Sequence, residues 1–345
     1  MLKYGLLIAT TSLLLAGTAL SATAEELHIY AWGGGEVPQE IVDDFAKETG
    51  IDVTMDTYDS NETMLAKLSA GASGYDLVEP TQNAVQVLAK QGLLLELDHS
   101  KLPNLGNLGA TFKDVSYDPG LKFNVPYVWG TTGLAYNDDC VKQPVTSWKT
   151  LWDPQYQGRI FMLDNMLSAY IVALQVNGFH AGTSKPEEIE KATQSLIEQK
   201  KVLGGYNSSS FPELVSSGEA CIVQAWNNNV SQVLTENPKV HYVIPDEGGS
   251  MWIDGFAIPK NAKNIEAAYK FMDYIMKPEV AAKAATLSKA ATVIDAAKAL
   301  LPKEVADNQA IYPAADKLKK VDFILDVGDA MKLYQDGWTK LKTAQ

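Results

Sequence analysis

The chain has 345 residues, with 29 Lys and Arg against 42 Asp and Glu, a formal net charge of −13. That balance excludes a nucleic-acid-binding surface, because phosphates need a basic one, and 46% hydrophobic with 21% charged residues is ordinary globular composition. The length exceeds what one core usually serves, so two domains are expected.

Residues 1–24 read as an export signal. Lys3 gives a basic start, an apolar run extends from Leu6 to Leu20, and Ala22-Thr23-Ala24 offers the small-x-small pattern of a cleavage site. Cleavage is expected before Glu25. The run is broken by Thr and Ser and is shorter than a spanning helix needs, which disfavours a membrane anchor. No Cys stands at the cleavage point, so no lipid anchor is indicated, and the mature chain is expected to be soluble and exported.

Leu27–Trp32 alternates and is rich in β-formers, which predicts a first strand. Pro38 sits where a first helical turn tolerates it, and Ile41, Val42, Phe45 and Ala46 form a helical apolar face ending near Gly50. Ile51–Tyr58 predicts a second strand. Ser60-Asn61-Glu62-Thr63 supplies helix-start chemistry before Met64, Leu65 and Leu68. Tyr75–Glu79 is a short strand closed by Pro80, and a helix over Ala84–Gln91 stops at Gly92. This β-α-β-α-β order implies a parallel sheet with covering helices, whose ligands sit beyond the C-terminal strand ends. Trp32–Glu36 and Thr81–Asn83 lie at two such ends. The second half repeats the style, with strands at Ile160–Leu163, Ala220–Ala225 and Val240–Ile244 and helices at Lys185–Gln199, Ile265–Met276 and Pro278–Leu287.

The residues at these strand ends suggest a ligand chemistry. Trp32, Trp226 and Trp252 are aromatic plates beside Gly, Asn or Asp. Asp254 follows Trp252 by two, so ring and carboxylate leave the strand on one face. An aromatic face beside a carboxylate suits an organic ammonium, which the ring attracts and the acid neutralises. Gly33-Gly34-Gly35 before a helix start could instead present backbone N–H groups to an anion, or be a tight turn. Glu36 could meet a cation or merely occupy a first helical turn. Catalysis finds little support: His28, His99, His180 and His241 lack metal spacing, and no G-x-S-x-G occurs. Neither a metal nor a cofactor is expected, and the chain is not expected to be an enzyme. The two cysteines, Cys140 and Cys221, could be bridged outside the cytosol or be separate buried thiols.

These residues together give a family resemblance. The Tyr-x-Trp…Val-Pro opening at 30–38, Tyr58-Asp59-Ser60-Asn61-Glu62-Thr63-Met64-Leu65, Val125-Pro126-Tyr127-Val128-Trp129-Gly130-Thr131-Thr132-Gly133 and Glu247-Gly248-Gly249-Ser250-Met251-Trp252-Ile253-Asp254 are collinear with one family. The chain resembles the periplasmic spermidine/putrescine-binding proteins of bacterial ABC polyamine importers, over essentially its whole mature length. The resemblance implies an α/β, type II periplasmic binding protein, with two α/β lobes that close on one amine ligand and then dock on an inner-membrane ABC permease. A periplasmic monomer is expected. Lobe 1 would comprise 25–131 plus 254–298 and lobe 2 would comprise 132–253 plus 299–345, with crossings near Thr131, Asp254 and Lys298. The carried-over site is Trp32, Trp226 and Trp252 as plates, Asp254 as ammonium anchor and Thr81 as a small hydroxyl. Gly33, Gly34, Glu36, Asn83, Asp164, Asn165 and Asn228 complete the expected ligand set.

The sequence also departs from that pattern. Gly33-Gly34 stands where a hydroxyl and an acid are usual, Asn83 replaces an aromatic, and an acidic pair appears as Asn165 and Ser168 with only Asp164 acidic nearby. An unpaired buried ammonium costs several kcal/mol, so this acid count implies an amine shorter than spermidine, or a zwitterion such as γ-aminobutyrate whose carboxylate would meet the glycine turn. A carboxylate-clamping arginine is nearly excluded, because Arg159 is the only Arg. A sensory binding protein for the same ligand is the other functional alternative.

Overall fold

The computed structural model describes residues 25–72 and 74–344. The expected leader, 1–24, lies outside the described residues, and among them no helix is long and apolar enough to cross a membrane.

The first unit follows the predicted alternation. Strand β1 (Glu26–Trp32) is followed by α1 (Gln39–Thr49), β2 (Asp52–Tyr58), α2 (Asn61–Ser69), β3 (Leu77–Val78) and α3 (Gln82–Lys90). The local signals act as their chemistry dictates. Gly50 ends α1 in the left-handed region at φ 73°, and the Ser60 side chain accepts the Thr63 N–H at 3.2 Å to start α2. The three strands pair in parallel in the order β2-β1-β3, so the turns after β1 and before α3 open on the same edge.

The second unit is built on β4 (Val125–Asn137), β5 (Ile160–Met162), α4 (Met166–Val176), α5 (Pro186–Gln199), β6 (Leu203–Tyr206), α6 (Phe211–Ser217), β7 (Ile222–Trp226), α7 (Asn227–Glu236), β8 (Val240–Val243) and β9 (Gly249–Phe256). Then come α8 (Ile265–Ile275), α9 (Pro278–Ser288), β10 (Ala291–Thr292), β11 (Val321–Phe323) and a closing helix, Met331–Thr343. The thirteen-residue β4 is buried at every position. It runs antiparallel to β9 through Val125–Thr132 and antiparallel to β7 through Thr132–Tyr136, so one strand belongs to both units.

Two large cores define the lobes. One gathers Leu27 to Trp129 and Ile253 to Ile311, the other Leu134 to Ile222 with Ala330, Tyr334 and Leu341. The chain passes between them along β4 and β9. The third handover does not fall near Lys298. Val305 and Ile311 remain in the first core, with Tyr312, Leu318 and Phe323 packed against it, and residues of the second core resume at Val327. The reason is packing: β11 extends the sheet beside β9 in parallel register, Val321 opposite Gly249, before the chain leaves. Cys140 and Cys221 are joined within the second lobe, with Cα atoms 5.8 Å apart.

Candidate ligand-binding site

A cavity of about 410 Å³ lies between the lobes. Its first wall forms where β1 ends. Trp32 leaves the strand beside Tyr58, ring centroids 4.7 Å apart, and the Gly33 N–H donates to the Tyr58 carbonyl at 2.8 Å. The chain then turns through Gly35 at φ 86°. A Cβ on Gly34 would lie 2.6 Å from Glu36 Oε1, so glycine there lets the Glu36 carboxylate fold back under the turn. Glu36 is only 7% exposed. Its backbone carbonyl accepts from the Tyr127 hydroxyl at 3.1 Å.

The second wall is β9. Trp252 and Asp254, two residues apart, both line the cavity, as the strand period requires. A Cβ on Gly130 would lie 2.2 Å from the Trp252 ring, so the indole rests directly on bare β4 backbone. Asp254 accepts from the Thr81 hydroxyl at 2.6 Å. Gln82 binds β9 beside it, its Oε1 accepting the Ile253 N–H at 2.9 Å. The other lobe contributes Trp226 at the end of β7, Asn228 in the first turn of α7, and Asn165, which caps α4 by accepting the Ser168 N–H at 2.9 Å. Asn228 Nδ2 donates to Glu36 Oε1 at 2.8 Å.

Of the expected set, Trp32, Gly33, Gly34, Glu36, Thr81, Asn83, Asn165, Trp226, Asn228, Trp252 and Asp254 line this one cavity. Asp164 does not. It is exposed and pairs with Lys342 of the closing helix at 2.6 Å, because the side chain at the end of β5 turns toward that cation and away from the cleft. The glycine turn is not arranged as an anion site either: the Gly33 N–H is spent on Tyr58 and the Glu36 carboxylate lies against Gly34. Asp59, Asn61, Glu62, Ser208 and Ser209 line the cavity without having been expected. For Glu62 the available signal was the Asn-Glu-Thr helix start, which reads as ordinary first-turn chemistry.

No Lys, Arg or His lines the cavity among the described residues, while Glu36, Asp59, Glu62 and Asp254 do. Burial without a cationic partner raises Asp254 to about 8, opposed by the Thr81 hydrogen bond and increased by Glu36. Burial raises Glu36, opposed by its own backbone N–H and by Asn228. Burial also raises Glu62, opposed by its own backbone N–H and increased by Asp59. Glu36 thus acts on Asp254, and Asp59 on Glu62. Several buried atoms of the wall have no hydrogen-bond partner: Glu36 Oε2, Asn61 Oδ1, Ser208 Oγ, Asn228 Oδ1 and the indole nitrogens of Trp32 and Trp252. Most are oxygens, and such orphans are costly unless a ligand or water meets them.

Two α/β lobes joined by shared strands, enclosing a cavity walled from both sides, define a solute receptor of the clamshell class. The chain belongs to the bacterial extracellular solute-binding proteins, whose family pattern matches residues 40–314. A spermidine/putrescine-binding periplasmic protein of Salmonella typhimurium is 35% identical, over 98% of each chain. A chain from Listeria monocytogenes superposes with a TM-score of 0.89 at 30% identity, covering 93% of this chain and all of its own. The substrate-binding protein of a spermidine/putrescine ABC transporter from Streptococcus pneumoniae gives 0.80 at 30% identity, with 93% and 99% covered. The family and the two-lobe α/β class expected from the sequence are thus both met.

Proposed function

We propose that this chain is the periplasmic receptor of an ABC importer for an aliphatic amine carrying at least two ammonium groups, delivered to a membrane permease after lobe closure. The observation that carries this reading is the cavity's charge: four carboxyl side chains and no cationic one among the described lining residues. A zwitterion would place its carboxylate among these acids with no counter-charge and no free glycine N–H at Gly33, so a γ-aminobutyrate-like ligand fits less well. The two acid groups, Glu36 with Asp254 and Asp59 with Glu62, suit ammonium groups held apart by a methylene chain, and the indole plates suit both the chain and its charges. The relatives named for spermidine and putrescine support the same class. Export by a leader ending at Ala24, and action as a monomer, belong to this reading.

Calorimetric titration of the chain from Glu25 onward tests it. Putrescine, cadaverine or spermidine should bind and γ-aminobutyrate should not. Binding of γ-aminobutyrate alone would overturn the reading.

A further inference from the structure

One carboxyl beside this site plays no part in lining it. Glu79 follows β3 directly and has no exposed surface. Its backbone N–H donates to the Tyr30 carbonyl at 3.0 Å, and its backbone carbonyl accepts the Tyr58 hydroxyl. Its Oε2 accepts the backbone N–H of Trp32 at 3.1 Å, while Oε1 has no partner. Two residues that hold it, Trp32 and Tyr58, line the cavity. No Lys, Arg or His bonds to it among the described residues.

Burial holds the Glu79 carboxyl well above the usual carboxylate range, the carboxyls of Asp254 on β9 and Glu36 in the glycine turn add to it, and the Trp32 N–H opposes it; the buried phenols of Tyr58 on β2 and Tyr127 on β4 feel its charge in turn. Three carboxyls enclosed together without a cation cannot all be charged, because each charge forfeits its hydration and repels the others. Protons must supply the neutralisation until something else does. Cationic charge brought against Glu36 and Asp254 is such a replacement, and it favours the charged form of Glu79 behind them as well.

We propose that Glu79 is a third anionic group of this site, holding a proton in the ligand-free protein and releasing it to solvent when a polycationic amine settles against Glu36 and Asp254. This rests on the amine reading above. The balance is one O–H bond broken at Glu79, one proton delivered to buffer and one negative charge left to face the bound ammonium groups. Affinity for an amine therefore rises with pH through the range in which these carboxyls deprotonate, and falls with acidification. Glu79 is a positioning and charge-supplying residue behind the wall, and the bond it accepts from the Trp32 backbone N–H is one that a glutamine oxygen can also accept.

The test is titration with putrescine and with spermidine in two buffers of different ionisation enthalpy, which counts the protons released on binding. Glu79→Gln keeps an oxygen for the Trp32 N–H and removes the proton. Wild-type protein should release protons at neutral pH, and E79Q should release about one fewer, with a correspondingly flatter dependence of affinity on pH. Weaker binding by E79Q with an unchanged proton count and pH slope would overturn the proposal and leave a purely structural role. Should E79Q fail to fold, Glu79→Met, which replaces a buried acid by an apolar chain of similar length, gives the same count. Failure of the wild-type protein to bind either amine removes the amine reading itself and this inference with it.

Discussion

Asn228 and Glu36 meet at 2.8 Å although they belong to different lobes. The amide donates to one carboxylate oxygen, while the other oxygen and the amide's own carbonyl remain without partners. The pair thus spans the cleft and offers two acceptors to an ammonium group at once. Removing the amide with Asn228→Ala should weaken putrescine binding about tenfold or more, the cost of a hydrogen bond to a charged group. Calorimetry reads the affinity, and small-angle scattering should show a more open ligand-free protein. A compact variant of unaltered affinity would mean that the pair is incidental to closure.

Asp254→Asn keeps an acceptor for the Thr81 hydroxyl and removes the charge. An ammonium left without its buried counter-charge costs about 3–5 kcal/mol, so binding of every amine should fall at least a hundredfold. Retained binding would locate the anchor elsewhere.

Glu62→Gln separates the two acid groups. It should weaken putrescine by roughly 1 kcal/mol, about fivefold, as for a partly exposed ion pair. Butylamine, with one ammonium, should be unaffected. Equal losses for both would show that Glu62 does not serve a second ammonium.

Acidity should act in opposite senses on the free and loaded protein. The Asp254 carboxyl sits at about 8 against an ordinary 3.8. Between those values the folded ligand-free chain holds a proton that the unfolded chain has lost, so this group's contribution to stability is fully present below 3.8 and declines as pH rises toward 8. Melting of the ligand-free protein at pH 5 and pH 8 should show the gain from Asp254 on the acid side, absent in Asp254→Asn. Amine affinity should move the other way and improve toward pH 8. Affinity independent of pH would contradict the burial argument for these carboxyls.

The Cys140–Cys221 bridge closes a loop with a sequence separation of 81. Replacing both by serine should destabilise the second lobe by about 2–4 kcal/mol, chiefly by freeing the unfolded chain. Urea denaturation with and without the bridge measures it, and an unchanged midpoint would assign the bridge no stabilising role.

Much of this architecture was legible where local patterns decide it. The first five elements follow from periodicity and from stops such as Gly50, and the Trp252–Asp254 pairing follows from strand period alone. The strand β4 carries no such signal. Buried throughout, and interrupted by Pro126, Gly130 and Gly133, it has no alternation to read. Asp164 misled for a different reason. Its partner Lys342 lies 178 residues away, so sequence neighbours place it at a strand end without revealing that it faces outward. Glu79 is the converse. Nothing in Leu77-Val78-Glu79-Pro80 announces that Trp32 and Tyr58 will enclose its carboxyl.

The neighbour of the cleft-spanning amide carries a second consequence. Asn227 is fully buried; its carbonyl oxygen accepts the Thr131 N–H of β4 and its amide donates to the Ala310 carbonyl, each at 2.8 Å. It therefore pins α7 to the strand shared by both lobes, one residue before Asn228 reaches across the cavity. Fulcrum and clasp occupy the same helical turn. A rotation that draws Asn228 away from Glu36 therefore also bears on the bonds by which Asn227 ties α7 to β4 and to Ala310.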